Sequence, residues 1–302
     1  MNTQTVSRRN FSKLIGVTAA YAALRPIPSR AAPTPSTANV VRLSSNENPY
    51  GPSAAALKAM TDGFSLAWRY PDEHADLLVN ELARLHDVPA EQILLGDGSG
   101  EILKVAAAAF TGTDRRIVTA NPTFESIGRH ASVAGAEVVK IDLAPDYSHD
   151  LKKILAATNG AGLVYICNPN NPTASITPSK DISDFLAKVS PQTTVLIDEA
   201  YHHYVEIKDY ESVIPLVKTY PNLMVARTFS KIYGMAGLRC GYCVTQTANI
   251  RRMRMHQMFD SVNIMALVAA LASLKDADQV TRGRRLNSEV KKSVCAELDI
   301  LG

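Results

Sequence analysis

The sequence predicts an α/β fold built on a mainly parallel central sheet flanked by helices, and three observations carry that expectation. Short apolar runs recur along the chain: QILLG, RIVTA, EVVKIDL, GLVYIC, TVLIDEA, LMVARTF and LRCGYCV. Helical or loop segments fall between most of them, the pattern of parallel strands joined by crossovers and buried on both faces. Most polar signals stand where the runs end, and open α/β sheets gather their ligands there. With 302 residues, 46% of them hydrophobic, the chain is long enough for a large core and more than one lobe.

In chain order, residues 1–31 come first and stand apart. They hold five basic residues (Arg8, Arg9, Lys13, Arg25 and Arg30) and no acidic one. A polar basic start leads into an apolar stretch from Leu14 to Leu24, followed by prolines and small residues. A spanning helix needs roughly 20 apolar residues, so this stretch suits a removable signal rather than a stable membrane anchor. Ser7 to Lys13, SRRNFSK, resembles a twin-arginine export signal, which implies the twin-arginine machinery as a partner and a periplasmic or secreted mature chain. The alternative is an amphipathic N-terminal helix on a cytoplasmic protein.

Removing that segment reverses the charge balance. The formal net charge of +3 hides a remainder of 27 basic and 29 acidic residues. No basic, aromatic-interleaved run is present, which argues against a nucleic-acid partner. The four cysteines, Cys167, Cys240, Cys243 and Cys295, lie in no zinc-ligand spacing, so no metal is expected.

Residues 32–50 form an N-terminal arm and entrance segment, which runs into the turn-rich NENPYGP at 46–52. Ser53 is placed to cap a helix over AAALKAM. From Asp76 to His86 the helical period puts Leu77, Leu78, Leu82 and Leu85 along one side. After the first strand, GDGSGE supplies small residues just before a helix, whose free N–H groups suit a phosphate. Taken alone this is equally a tight cap, because it lacks both the dinucleotide glycine pattern and a Walker lysine. NPNNPT, after GLVYIC, reads as a sharp asparagine turn. In VLIDEAYHHY, Asp198 ends an apolar strand, where a carboxylate is costly unless paired. His202 and His203 are adjacent and point apart, which suits surface or packing roles. TFSKIYGMAGLRCGY sets Lys231 beside Ser230 and Arg239: an amine able to bond an aldehyde once burial lowers its pKa, next to donors for phosphate.

SNENPYGP, RYPD, GDGSGE, NPNNPT, DEAY and TFSKIYGMAGLRCGY occur in that order. Together they resemble the fold-type-I pyridoxal-phosphate aminotransferases of class I/II, in particular the histidinol-phosphate aminotransferase group, from about Val40 to the end. The resemblance implies that Lys231 bonds the cofactor aldehyde and shuttles a proton. It implies that Asp198 pairs with the pyridinium nitrogen, while Tyr201 and Asn171 contact the phenolic oxygen. Phe124 matches the ring stacked on the cofactor. Gly98, Ser99, Thr228, Ser230 and Arg239 match the phosphate cradle. Tyr70 matches a tyrosine that reaches the partner subunit's cofactor in a homodimer, and Tyr50 lies in the segment lining the substrate pocket. The implied reaction moves an amino group from an amino acid, or a phosphorylated amino alcohol, to a 2-oxo acid.

The chain departs from this pattern at three points. Ala174 stands where glycine usually follows NPT, and Gly100 where an acidic residue is common. Only 71 residues follow Lys231, so the expected domains are a large cofactor-binding domain at 51–250 and an incomplete small α/β domain, truncated C-terminally, at 251–302. No residue is assignable to the family's substrate-carboxylate arginine. A decarboxylase, lyase or racemase on the same cofactor stays open as an alternative, as does a non-catalytic exported binding protein.

Overall fold

The structure is a computed structural model and describes residues 42–302; the proposed signal segment lies outside the described residues. Residues 46–302 form one compact unit, and residues 251–302 belong to it together with the sheet.

Seven strands form one sheet: β1 (Ile93–Gly96), β2 (Arg116–Asn121), β3 (Val138–Asp142), β4 (Ala161–Cys167), β5 (Thr194–Asp198), β6 (Leu223–Thr228) and β7 (Gly241–Thr245). Their spatial order is β1-β7-β6-β5-β4-β2-β3. The run β6-β5-β4-β2-β3 is parallel, and β7 pairs antiparallel with both β6 and β1. Every apolar run of the sequence is therefore a strand, and the chain reverses only around β7.

The period of two along each strand divides the core. Leu163, Tyr165 and Cys167 of β4 face one side with Leu196 of β5 and Met224 and Ala226 of β6. Val164, Ile166, Val195, Ile197 and Val225 face the other. Helix α3 (Gly98–Phe110) covers the first face with Ile102, Leu103, Ala106 and Phe110, joined by Ile127 of α4 (Ser126–Val133) and Ile250 and Met253 of α7 (Thr247–Arg254). On the second face lie α1 (Ala54–Gly63), α2 (Asp72–His86), α5 (Leu151–Ala156), α6 (Ser179–Leu186) and α8 (Ile264–Lys275), through residues such as Leu78, Ile154, Phe185 and Leu267. The long α9 (Ala277–Leu301) closes the chain.

Local details follow from the sequence. Ser53 caps α1 by accepting from the Ala56 N–H at 3.2 Å. Helix α2 differs from expectation in which leucines it buries. Leu78 and Leu82 are fully buried, whereas Leu77 and Leu85 are 54% and 53% exposed. The sheet-facing stripe runs instead through Ala75, Leu78, Val79 and Leu82, and the four-leucine band spans too wide an arc to be covered by one neighbour. Gly283 lets α9 approach the residue after Lys231: a Cβ there would lie 2.8 Å from Ile232 Cδ1.

Beneath the strand ends, on the second face, lies a sealed ion pair. Arg227 of β6 donates from Nε to Glu199 Oε2 at 2.7 Å, and both side chains are almost wholly buried. Glu199 also accepts from the Ser212 hydroxyl and the Val213 N–H, each at 2.8 Å. His202 and His203 sit behind this network, and burial together with the nearby Arg227 cation depresses their pKa values to about 4 and about 2. They are neutral packing groups. His203 stands edge-on to Tyr233, and His202 packs against Tyr210.

Arg227→Met leaves the Glu199 carboxylate buried without its cation. It is expected to cost about 3–5 kcal/mol in urea unfolding, and a loss below about 1 kcal/mol would show that the pair does not carry the strand ends. Ala174 occupies the left-handed region at φ 55°, which an L-residue enters at a cost of about 1–2 kcal/mol. Ala174→Gly should therefore stabilise the chain by about 0.5–1 kcal/mol after the extra freedom of the unfolded state is deducted. The same unfolding experiment checks it, and an unchanged or lower midpoint contradicts the strain.

Candidate active site

The carboxyl ends of β4, β5 and β6 converge, and the period of two decides which side chains they present. Asp198 has the parity of Leu196 and faces α3, while Glu199, one residue on, turns to the opposite face and its arginine. Asp198 is 2% exposed. Its Oδ2 accepts from the Tyr165 hydroxyl at 3.0 Å and its Oδ1 from the Ala200 N–H at 3.1 Å. Burial pushes its pKa up to about 6, and the two hydrogen bonds and the Lys231 charge oppose that rise. No cation among the described residues forms an ion pair with it, so the carboxylate suits a protonated ring nitrogen.

Lys231 follows β6 in a tight loop. Its Nζ donates to the Asn46 carbonyl at 2.7 Å and lies 5.4 Å from the centre of the Tyr201 ring. Burial lowers its pKa; Asp198 and Glu47 pull the other way, and Arg239 adds to the lowering. The Tyr201 hydroxyl accepts from Asn46 Nδ2 at 2.9 Å and from Asn171 Nδ2 at 3.5 Å. Asn46, Asn171, Tyr201 and Lys231 line one cavity of about 550 Å³. The entrance arm is fastened to the lysine loop again by Asn48 Nδ2, which donates to the Ile232 carbonyl at 3.0 Å.

A second group forms at the start of α3. No side chain caps this helix, so its first N–H groups are free for an anion. Gly98 has φ +71°, and a Cβ there would lie 2.1 Å from Arg239 Nη2, so only glycine admits the guanidinium. Arg239 itself holds φ 61°, and its Nη1 donates to the Ser230 hydroxyl at 3.3 Å. Thr228 Oγ1 accepts from the Ser230 N–H at 3.1 Å. Gly241 completes the approach: a Cβ on it would lie 2.3 Å from the Ser99 nitrogen. Backbone N–H groups, a hydroxyl and a fixed guanidinium thus meet at one helix end, the donor set of a phosphate site.

The asparagine turn is held from β2. Thr123 donates to Asn170 Oδ1 at 2.7 Å, and Asn170 Nδ2 donates to the Pro122 carbonyl at 3.1 Å. This ties the loop carrying Phe124 to the loop carrying Asn171. Phe124 is 40% exposed and lines a separate hollow with Asn121 and Thr119. Tyr50 and Tyr70 are 61% and 82% exposed and line no part of the Lys231 cavity.

Two contributors escaped the sequence reading. Asn46 meets both Lys231 and Tyr201, and its only signal was membership of a turn-rich segment. Tyr165 was legible in principle, because a phenol inside an apolar strand needs a partner for its hydroxyl. Cys167, Cys240 and Cys243 are buried and unpaired, and Cys295 is exposed. The residues present fit pyridoxal phosphate: an amine for its aldehyde, a carboxylate for its ring nitrogen, an amide and a phenol for its oxygen, and a cradle for its phosphate.

Comparison with known proteins gives the family and its cofactor. The family model for aminotransferase class I and II matches residues 38–298. The chain is 37% identical over 264 residues to a histidinol-phosphate aminotransferase of Shouchella clausii, covering 87% of this chain and 72% of that protein. It is 39% identical over 267 residues to one of Moorella thermoacetica, covering 87% and 69%. The solved histidinol-phosphate aminotransferase of Sinorhizobium meliloti in complex with pyridoxal-5'-phosphate superposes with a TM-score of 0.74 at 27% identity, over 80% of this chain and 65% of that one. The chain belongs to the class I and II aminotransferases, enzymes of amino transfer that work with pyridoxal phosphate.

Proposed function

We propose that the amino donor is an amino acid or a phosphorylated amino alcohol of the histidinol-phosphate kind, that the acceptor is a 2-oxo acid, and that the residues around Lys231 do the chemistry. The observation that carries the site reading is the convergence of Lys231, Tyr201 and Asn171 on one cavity beside the buried Asp198. The donor class is supported by the relatives, which are histidinol-phosphate aminotransferases.

Pyridoxal phosphate, when bound, supplies an aldehyde that takes up the amino group and a ring that withdraws electrons from the substrate carbon. The protein's part is to hold and to move protons. Asp198 would keep a proton on the ring nitrogen, because an ionised carboxylate in so buried a place favours a cationic partner. Tyr201 and Asn171 would donate to the phenolic oxygen. Arg239, Ser230, Thr228 and the N–H groups of Gly98 and Ser99 would hold the phosphate, and the family resemblance assigns Phe124, which lines a separate hollow here, to the face of the ring. With its pKa lowered by burial, the Lys231 amine would be the base that takes the proton from the substrate carbon and gives it back as the amino group is transferred. Its bond to Asn46 must open first.

We further propose a homodimer. Phe64, Trp68 and Tyr70 stand exposed in one short segment, with Met258 and Phe259 also exposed, an apolar surface suited to a second copy. Tyr70 would then serve the partner's phosphate, and Tyr50 the mouth of the substrate pocket. Export through the twin-arginine route rests on Arg8 and Arg9 and the apolar run after them.

Titrating pyridoxal phosphate into the purified chain should give a visible absorption band that an amino donor bleaches and a 2-oxo acid restores. Lys231→Ala should abolish the band, and a band that survives would remove Lys231 from the chemistry. A panel of amino acids with histidinol phosphate, read by the same bleaching, names the donor; silence from every member refutes the donor class. Asp198→Asn is expected to lower the transfer rate by about 10²-fold or more, the scale for losing one preorganised charge interaction. Light scattering should return a dimer's mass, and Trp68→Glu should shift it to the monomer; a wild-type monomer contradicts the assembly.

A further inference from the structure

Tyr165 is the largest wholly buried side chain among the described residues, and the proposed chemistry does not use it. The sheet register explains where it points. On β4 and β5, Cys167 stands opposite Asp198 and Tyr165 opposite Leu196, so Tyr165 lies one pleat behind the carboxylate on the same face. Its ring fills the core between β4 and α3, and its hydroxyl reaches forward to Asp198 Oδ2 at 3.0 Å.

We propose that Tyr165 is a positioning residue for the cofactor: by donating to Asp198 Oδ2 it holds the carboxylate ionised and fixed in rotation, with its remaining lone pairs turned to the ring nitrogen. The inference rests on the role proposed above for Asp198. Two facts support it beyond the distance. Burial and the neighbouring carboxylate push the Tyr165 pKa well above 10, so the phenol stays a neutral donor. Each carboxylate oxygen accepts one protein hydrogen bond, from Tyr165 on Oδ2 and from Ala200 on Oδ1, and each keeps a further lone pair. The charged and titratable groups facing Asp198 are Tyr165 and Cys167 from β4, Glu199 next to it, and Lys231 and Tyr201 across the cavity. Among these only Tyr165 donates to its side chain.

The test compares the full chain with Tyr165→Phe, Asp198→Asn and the double variant in two measurements. The first is pyridoxal phosphate affinity without any amino substrate. Tyr165→Phe should weaken it about tenfold, the scale for a hydrogen bond to a charged group, and should add little in the Asp198→Asn background. The second is melting temperature against pH without cofactor. Asp198 has a folded pKa near 6, above the unfolded value of about 4. Its protonation-linked stability is therefore fully present below about pH 4 and lost as pH rises through 6. Losing the Tyr165 donor raises the folded pKa further, so in Tyr165→Phe the loss should move up by about one pH unit. The variant is then penalised more at pH 8 than at pH 5. An affinity within twofold of wild type, or a melting temperature lowered equally at every pH, would mean that Tyr165 only packs and would overturn the proposal. If Asp198→Asn leaves affinity unchanged, the site reading itself fails and takes this inference with it. If Asp198→Asn weakens binding and Tyr165→Phe does not, the inference fails alone.

Discussion

The contact between Arg227 and Glu199 holds the two strand ends on which the site is built. Glu199 follows the last residue of β5 and Arg227 precedes the last residue of β6, so the pair ties together the ends that carry Asp198 and the Thr228–Lys231 loop. An ion pair so deep is affordable only because every acceptor has a donor: the Ser212 hydroxyl and the Val213 N–H satisfy what the guanidinium leaves. The two adjacent carboxylates of DEAY thus do unlike work. One is neutralised on the far face and fastens the strands, and the other keeps its acceptor capacity on the near face for a ligand. Strand alternation alone separates these tasks.

Much of the sheet was legible from the chain because parallel strands buried on both faces are nearly all apolar, and the loops between them are not. Every apolar run became a strand, and Ser53 caps its helix as its position suggested. What stayed hidden were contacts set by tertiary register. Nothing local tells that the Asn46 carbonyl meets the Lys231 amine across 185 positions, or that Arg227, inside an apolar strand, finds its carboxylate on the next strand. The α2 stripe was misread for a related reason. Leucine spacing gives an arc, and only the neighbour decides how much of that arc is covered. The packing of Ala266, Leu267 and Ala270 of α8 into the core beneath the sheet is likewise set by tertiary contact.

The site also concentrates backbone strain. Arg239 and Ala174 both hold positive φ without being glycine, one beside the phosphate cradle and the other in the asparagine turn. At Arg239 the strained backbone delivers the guanidinium over Gly98, a placement that a relaxed extended residue would not give. At Ala174, which lines the Lys231 cavity, the strained residue closes the asparagine turn, its N–H donating to the Asn170 carbonyl at 2.9 Å.

One feature of the sheet bears on how the chain tolerates change. Because β7 runs antiparallel to β6, with Thr228 opposite Gly241, the loop 229–240 leaves and re-enters the sheet at the same end. Lysine and arginine are therefore measured against each other by a single short span whose two feet are nailed to adjacent strands. Elsewhere in the parallel part of the sheet a crossover can lengthen and its excess can spill onto the surface. Here an inserted or deleted residue has nowhere to go, and it would alter the distance between amine and guanidinium directly. The loop acts as a ruler, and its length, more than its composition, is what divergence in this chain is least free to alter.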